Sequence, residues 1–256
     1  MKKLMFAAAV MAAGAAMAIE SQIVGYTTRT IPAKTWALVA NNFQTTSGES
    51  VSIQDLIPTE GLVAGTASAA ASQIQIAKAS GSGFDVYYYC SEAWNESSED
   101  WDLTAWVKEG GDEPATVKIN PGQGFWFQNP TAIDLTTSGQ VVSELSYKKS
   151  LAAKTWALVG NPYPVAFALN GKQVNWELYG TAGTASAAAT QIQIAKNGGG
   201  FDVYYYCSEA WNESSEDWDL TAWVKEGGDE PVSTTVPVCT GFWIQNPTAV
   251  DLYFTR

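Results

Sequence analysis

The stretch FDVYYYCSEAWNESSEDWDLTAWVKEGGDEP occupies residues 84–114, and the same letters return without a change at 201–231. Its start alternates: Phe84, Val86, Tyr88 and Cys90 fall on one side of an extended chain, Asp85, Tyr87 and Tyr89 on the other. Strand side chains project to opposite faces with a period of two, and aromatic residues suit a pleated surface. Immediately upstream, QIQIAK (73–78) sets Ile74 and Ile76 against Gln73 and Gln75, and SGSG (80–83) supplies a flexible turn. The two segments predict a β-hairpin.

The same reading extends in both directions. GFWFQN (124–129) places Phe125 and Phe127 opposite Trp126 and Gln128; its copy keeps Trp243 but has Ile244 in place of Phe127, so the Phe125–Phe127 face requires only bulk. TWALV and TAWVK are β-branched and aromatic enough to join the sheet, and Asn120-Pro121-Gly122 and Asn129-Pro130 read as turns. ASAAAS (67–72) has room for one helical turn, and no amphipathic helix of ordinary length follows. The expected fold class is all-β.

The repetition is longer than the opening stretch. AKTWALV stands at 33–39 and 153–159, GTASAAASQIQIAK (65–78) matches GTASAAATQIQIAK (183–196), and GFWFQNPTAIDL (124–135) returns as GFWIQNPTAVDL. The segments 40–64 and 160–182 differ and read as connections that absorb change cheaply. Units of this size bury a core of their own, unlike short solenoid repeats. The organisation expected is two tandem β-sandwiches or open barrels from an internal duplication, 19–143 and 144–256. Residues 1–18 precede them as an export signal: Lys2 and Lys3, an apolar run over 4–13, and the small-x-small pattern Ala16-Met17-Ala18. No later segment is apolar for long enough to span a bilayer. An extracellular, cell-surface or periplasmic location follows from such a signal.

Charge and composition narrow the function. The chain carries 14 basic against 26 acidic residues, a formal charge of −12. Such an excess repels phosphate backbones, which disfavours nucleic acid as a partner. The acids concentrate in the repeated stretch, at Glu92, Glu96, Glu99, Asp100, Asp102, Glu109, Asp112 and Glu113 in its first copy. Histidine is absent, which removes the commonest general base and transition-metal ligand. Of the 3 cysteines, Cys90 and Cys207 are counterparts and Cys239 stands where the first copy has Gly122. Export permits a Cys207–Cys239 disulfide, with Cys90 left over.

A resemblance rests on TWALVANNF (35–43), the aromatic hairpin, Trp106, INPGQGFWFQNP (119–130) and IDLTTSGQV (133–141). Together they resemble exported bacterial β-domain repeats that open on a "GWNLI"-like strand and close on a "pGxGFW…tltlsG" hairpin. TWALV departs from the Gly-Trp-Asn start, and the second copy has VPVCTGFW in place of the Pro-Gly turn. The resemblance implies an extracellular accessory or surface module and carries over no catalytic residues.

Tryptophan is the main functional signal, with 11 in the chain. Trp94, Trp101 and Trp106, with their counterparts Trp211, Trp218 and Trp223, lie among carboxylates. A flat indole stacks on a sugar face while neighbouring acids and amides bond its hydroxyls, so these six are candidate ligand contacts. Trp36, Trp126, Trp156 and Trp243 read instead as core rings. Glu99, Asp100, Asp102 and Asp112, with Glu216, Asp217, Asp219 and Asp229, offer oxygen ligands for calcium, without the spacing of a known calcium loop. Catalysis would need two opposed carboxylates with separated pKa values, and nothing selects such a pair. The expected function is therefore non-enzymatic: a structural or adhesive role at the cell surface or outside, with self-association. The alternative is carbohydrate binding through the Trp/Tyr-rich acidic loops, with calcium assisting. Glycans and other surface proteins are the partners these readings imply.

Overall fold

The computed structural model describes residues 23–78, 82–196 and 199–256. The expected export signal, 1–18, and part of the 80–83 turn lie outside these residues. The protein is all-β, built from antiparallel sheets with only single helical turns between them. No helix among the described residues is long and apolar enough to cross a membrane.

In the first half a five-stranded sheet runs in the order Ala37–Ala40, Gly124–Gln128, Gln73–Ala77, Phe84–Asn95, Asp100–Lys108. The expected hairpin is its centre, with Gln73 opposite Tyr88 and Ala77 opposite Phe84. Over this sheet lies a second layer, in which Val24–Ile31 pairs along its whole length with Ile133–Val141. Phe43–Gln44 adds a short third strand to that layer. Side chains from the two layers meet as one core: Ile74, Tyr87, Trp106, Phe125 and Phe127 from the large sheet, Ile31, Ile133 and Leu135 from the small one. The arrangement is sandwich-like.

The second half repeats the order with Ala157–Val159, Phe242–Gln245, Gln191–Ala195, Phe201–Asn212 and Asp217–Lys225. Its second layer pairs Ser146–Leu151 with Val250–Thr255 and has no third strand. Where the first half has Asn41-Asn42-Phe43-Gln44, the second reads Asn161-Pro162-Tyr163-Pro164, and the two prolines lack the N–H donors that a ladder there would use. Tyr163 is buried nonetheless, with its hydroxyl donating to the Glu144 carbonyl at 2.8 Å.

The halves are joined back to back by reciprocal contacts. Val39 bridges Thr240, and Gln123 bridges Val159, which is the same pair with the halves exchanged. Phe84 meets Trp243 edge-on at 6.3 Å, and Phe201 meets Trp126 at 6.3 Å. A contact that recurs with its partners exchanged is the signature of a two-fold relation, here approximate and within one chain. Trp36, Trp126, Trp156 and Trp243 are accordingly half-buried and are not the core rings expected from the sequence. Alternation puts Trp126 and Trp243 on the face opposite the core phenylalanines, and that face looks toward the seam.

Cysteine pairing also differs from expectation. All three cysteines are buried free thiols. Cys207 packs with Ala210, Ala222 and Val224 on the outer face of its own sheet, whereas Cys239 crosses the seam into the core of the first half. Its Sγ lies 3.9 Å from Thr137 Oγ1. The two sulfurs belong to different clusters, so the Cys207–Cys239 bond does not form.

Candidate functional site

The repeated stretch forms a hairpin whose tip protrudes from each half. Strands Phe84–Asn95 and Asp100–Lys108 pair in regular register from Tyr87–Lys108 to Cys90–Ala105, then shift twice before Asn95–Asp100. Bulges of this kind re-aim side chains and sharpen twist. Here they bury Ala93 completely and bring Trp94 to 4.8 Å from Trp101, edge to face. The second copy does the same with Trp211 and Trp218, also at 4.8 Å.

The turn is held by its own polar residues. Asp102 Oδ1 accepts from Asn95 Nδ2 at 2.8 Å and from Ser98 Oγ at 2.9 Å, and these bonds hold its carboxyl below the usual carboxylate range. Asn95 Oδ1 accepts from the Ser97 N–H, and the Glu99 N–H donates to the Asn95 carbonyl. Asp219 is bonded and shifted in the same way by Asn212 and Ser215. Every residue from Glu96 to Asp102 is exposed, so each tip offers water an acid-rimmed loop.

The six candidate tryptophans divide into three kinds. Trp101 and Trp218 are exposed, at 54% and 52%. Trp94 and Trp211 are half-buried and support them from the side. Trp106 and Trp223 are core residues, exposed by 1% and 0%, and make no surface contact. The last pair corrects the sequence reading, and strand geometry explains it. Trp106 lies opposite Tyr89 in the regular part of the hairpin, on the core side of the sheet, whereas Trp101 lies beyond the register shifts.

The carboxylates expected as calcium ligands are not drawn together. Among the described residues no group of three or more Asp, Glu or Cys side chains is placed to hold a metal ion. Glu99, Asp100, Asp102 and Asp112 do not converge, nor do Glu216, Asp217, Asp219 and Asp229. Asp102 and Asp219 spend an oxygen on the turn, Asp100 accepts from the Trp101 N–H, and Asp229 accepts from Trp218 Nε1 at 3.2 Å. The tip is therefore an aromatic and hydrogen-bonding surface.

A second feature escaped the sequence reading. An open cleft of about 890 Å³ runs along the seam, lined by Lys78 and Phe84 from the first half and Lys149, Lys154, Trp156 and Trp243 from the second. Among the described residues, no aspartate or glutamate lines it. Lys149 is half-buried, and its desolvation lowers the ammonium pKa. Its strand neighbours Lys148 and Ser150 both bond Asp251, but Lys149 points to the other side and takes no ion pair or hydrogen bond among the described residues. The signal in the sequence is a substitution, since Lys149 replaces Arg29 of the first half. The Arg29 guanidinium donates to the Leu38 carbonyl and, at 3.5 Å, to that of Cys239, so on its side the cation is tied across the seam. Comparison with known proteins found no matching family model, curated protein or solved structure.

Proposed function

We propose that this is a non-enzymatic exported protein with a structural or adhesive role, two tandem sandwich-like units from one duplication, and that its paired hairpin tips are the contact elements. The observation that carries the reading is the exposure of Trp101 and Trp218, at 54% and 52%, on protruding acidic loops. Each of these rings lies against a second one, Trp94 or Trp211, and an apolar patch rimmed by polar residues is the kind of surface that marks a contact site. Two equal tips on one chain gain avidity on a repetitive surface when both can engage. The resemblance to exported bacterial β-domain repeats points the same way, toward the cell surface or the medium.

The second reading, carbohydrate binding at these tips, is favoured by one feature. The Trp101 indole, braced by Trp94, stands near Asp102 and Asn95, a stacking face beside hydrogen-bonding groups. One variant separates the readings. Trp101→Ala with Trp218→Ala should leave the melting temperature within a few degrees of wild type, because both rings are exposed. Beads coated with the intact protein should adhere to the producing cells, and beads coated with the double variant should not. A glycan-array signal that vanishes in the double variant would shift the assignment to sugar binding. Turnover on a panel of polysaccharides, abolished by a single carboxylate substitution, would overturn both.

A further inference from the structure

We propose that the seam cleft is a docking site for the acidic hairpin tip of a second copy of this chain, so that the protein assembles head to tail. The inference rests on the reading of the tips as contact elements and names one of their partners. Three lysines face this cleft without a carboxylate among them, in a chain with 26 acidic and 14 basic residues. Lys149 is drawn out of water and has no counter-ion among the described residues. A partly desolvated ammonium without a partner is costly, and an incoming carboxylate removes that cost.

The walls of the cleft add a second requirement. Trp156, Trp243 and Phe84 present ring surface between the lysines, so the occupant combines negative charge with a flat apolar group. The tip carries this pairing: Glu96, Glu99, Asp100 and Asp102 surround the exposed Trp101, and the 201–231 copy repeats it around Trp218. Aromatic stacking and charge complementarity then act together. A tip docking in a cleft joins two different surfaces, and a heterologous contact of that kind propagates instead of closing as a two-fold dimer.

The stoichiometry is asymmetric. Each copy has two tips, and its two seam sides differ: on one, Lys149 has no bonded partner among the described residues, whereas on the other its counterpart Arg29 is held by the Leu38 and Cys239 carbonyls. Arginine's planar fork reaches two acceptors at once, whereas lysine presents a single point charge. A copy whose cleft is filled and one of whose tips is engaged keeps its other tip for an outside surface.

Sedimentation velocity on the mature full-length protein tests this. Wild type should form heavier species as concentration rises, and salt should weaken them, because screening acts on exposed charge pairs. Lys149→Glu, and separately the more exposed Lys154→Glu, should each weaken association about tenfold or more. Trp101→Ala with Trp218→Ala should do the same. Mixing is decisive: the Lys149→Glu chain keeps two tips and the tip variant keeps its cleft. Neither should assemble alone, and together they should form closed complexes of at most three chains. Association by wild type that Lys149→Glu and Lys154→Glu leave intact would remove the cleft from the mechanism while the tips kept their role. A wild type monomeric at every concentration, or a cleft that binds free galacturonate while the chain stays monomeric, would overturn the docking proposal.

Discussion

At the scale of single residues, the meeting of the two halves turns on Ala40 and Gly160. They are counterparts, each directly following a copy of AKTWALV, and the approximate two-fold brings them together. A methyl on Gly160 would overlap the Ala40 methyl and lie 3.2 Å from the Thr240 carbonyl. One of the two must therefore lack a side chain. Gly160→Ala should destabilise the protein by about 1–3 kcal/mol through overpacking. Ala40→Gly alone should cost about 0.5–1 kcal/mol from backbone freedom. The double variant exchanges the two residues across the axis and should recover most of the loss, which urea unfolding of all four proteins measures as a coupling energy. Additive losses would remove the close approach from the argument. Nothing in the sequence marks Gly160 as special beyond its being one of the few differences between near-identical strands. By contrast, the fate of Trp106 was legible. In TAWVK it alternates with Ala105 and Val107, and across the hairpin it faces Tyr89, whose side of the strand is the core side.

At the scale of the element, the hairpin shows what a period-two reading captures and where it stops. From Phe84 to Cys90 the alternation is kept, with Tyr87 and Tyr89 in the core. Beyond Cys90 two register shifts intervene, and no residue type in SEAWN announces them. The contact between Trp94 and Trp101 depends on those shifts, so the tip's geometry could not be read from the letters. The turn carries a further cost that the letters hide: Glu99 and Glu216 sit at φ of 54° and 55°. A side chain in the left-handed region is strained where glycine is not. Glu99→Gly should stabilise the protein by about 0.5–1 kcal/mol, and Glu216→Gly by a similar amount. The two turns share no bonded partners, so the gains should add in thermal or urea unfolding. Glu99→Val, β-branched and stiff, should destabilise instead. If glycine lowers stability, the Glu99 side chain contributes more than its backbone strain costs.

At the scale of the whole molecule, the β class and the sites of the strands were legible because alternation and turn residues are local signals. The seam was not, because contacts between two halves follow no periodicity, and the rings expected in the cores were sent to it. What the molecule holds inside sets its response to alkali. Tyr87, Tyr89, Tyr147, Tyr163 and Tyr206 have pKa values raised above the ordinary 10.0, in each case chiefly by burial. Burial likewise raises the Cys239 thiol above 9.0. Groups with a raised folded pKa keep their protons after the unfolded chain has begun to lose them. The native state then binds more protons than the unfolded state, and stability falls as pH rises. Their contribution is complete below the unfolded values and is lost as pH climbs through the folded ones. Lys149 opposes this, since burial lowers its pKa below 10.5 and stability gained from it rises with pH, and Arg29 is lowered from 12.5 in the same way, but the raised phenols and thiol outnumber them. The urea midpoint should therefore fall steadily from about pH 9 to about pH 11 and recover on return to neutrality. Tyr89→Phe with Tyr206→Phe removes a matched pair of these phenols, one from each half, and should flatten that fall. A midpoint that stays level through this range, or an equal slope in the double phenylalanine variant, would show that these hydroxyls are as well solvated in the folded protein as in the unfolded chain.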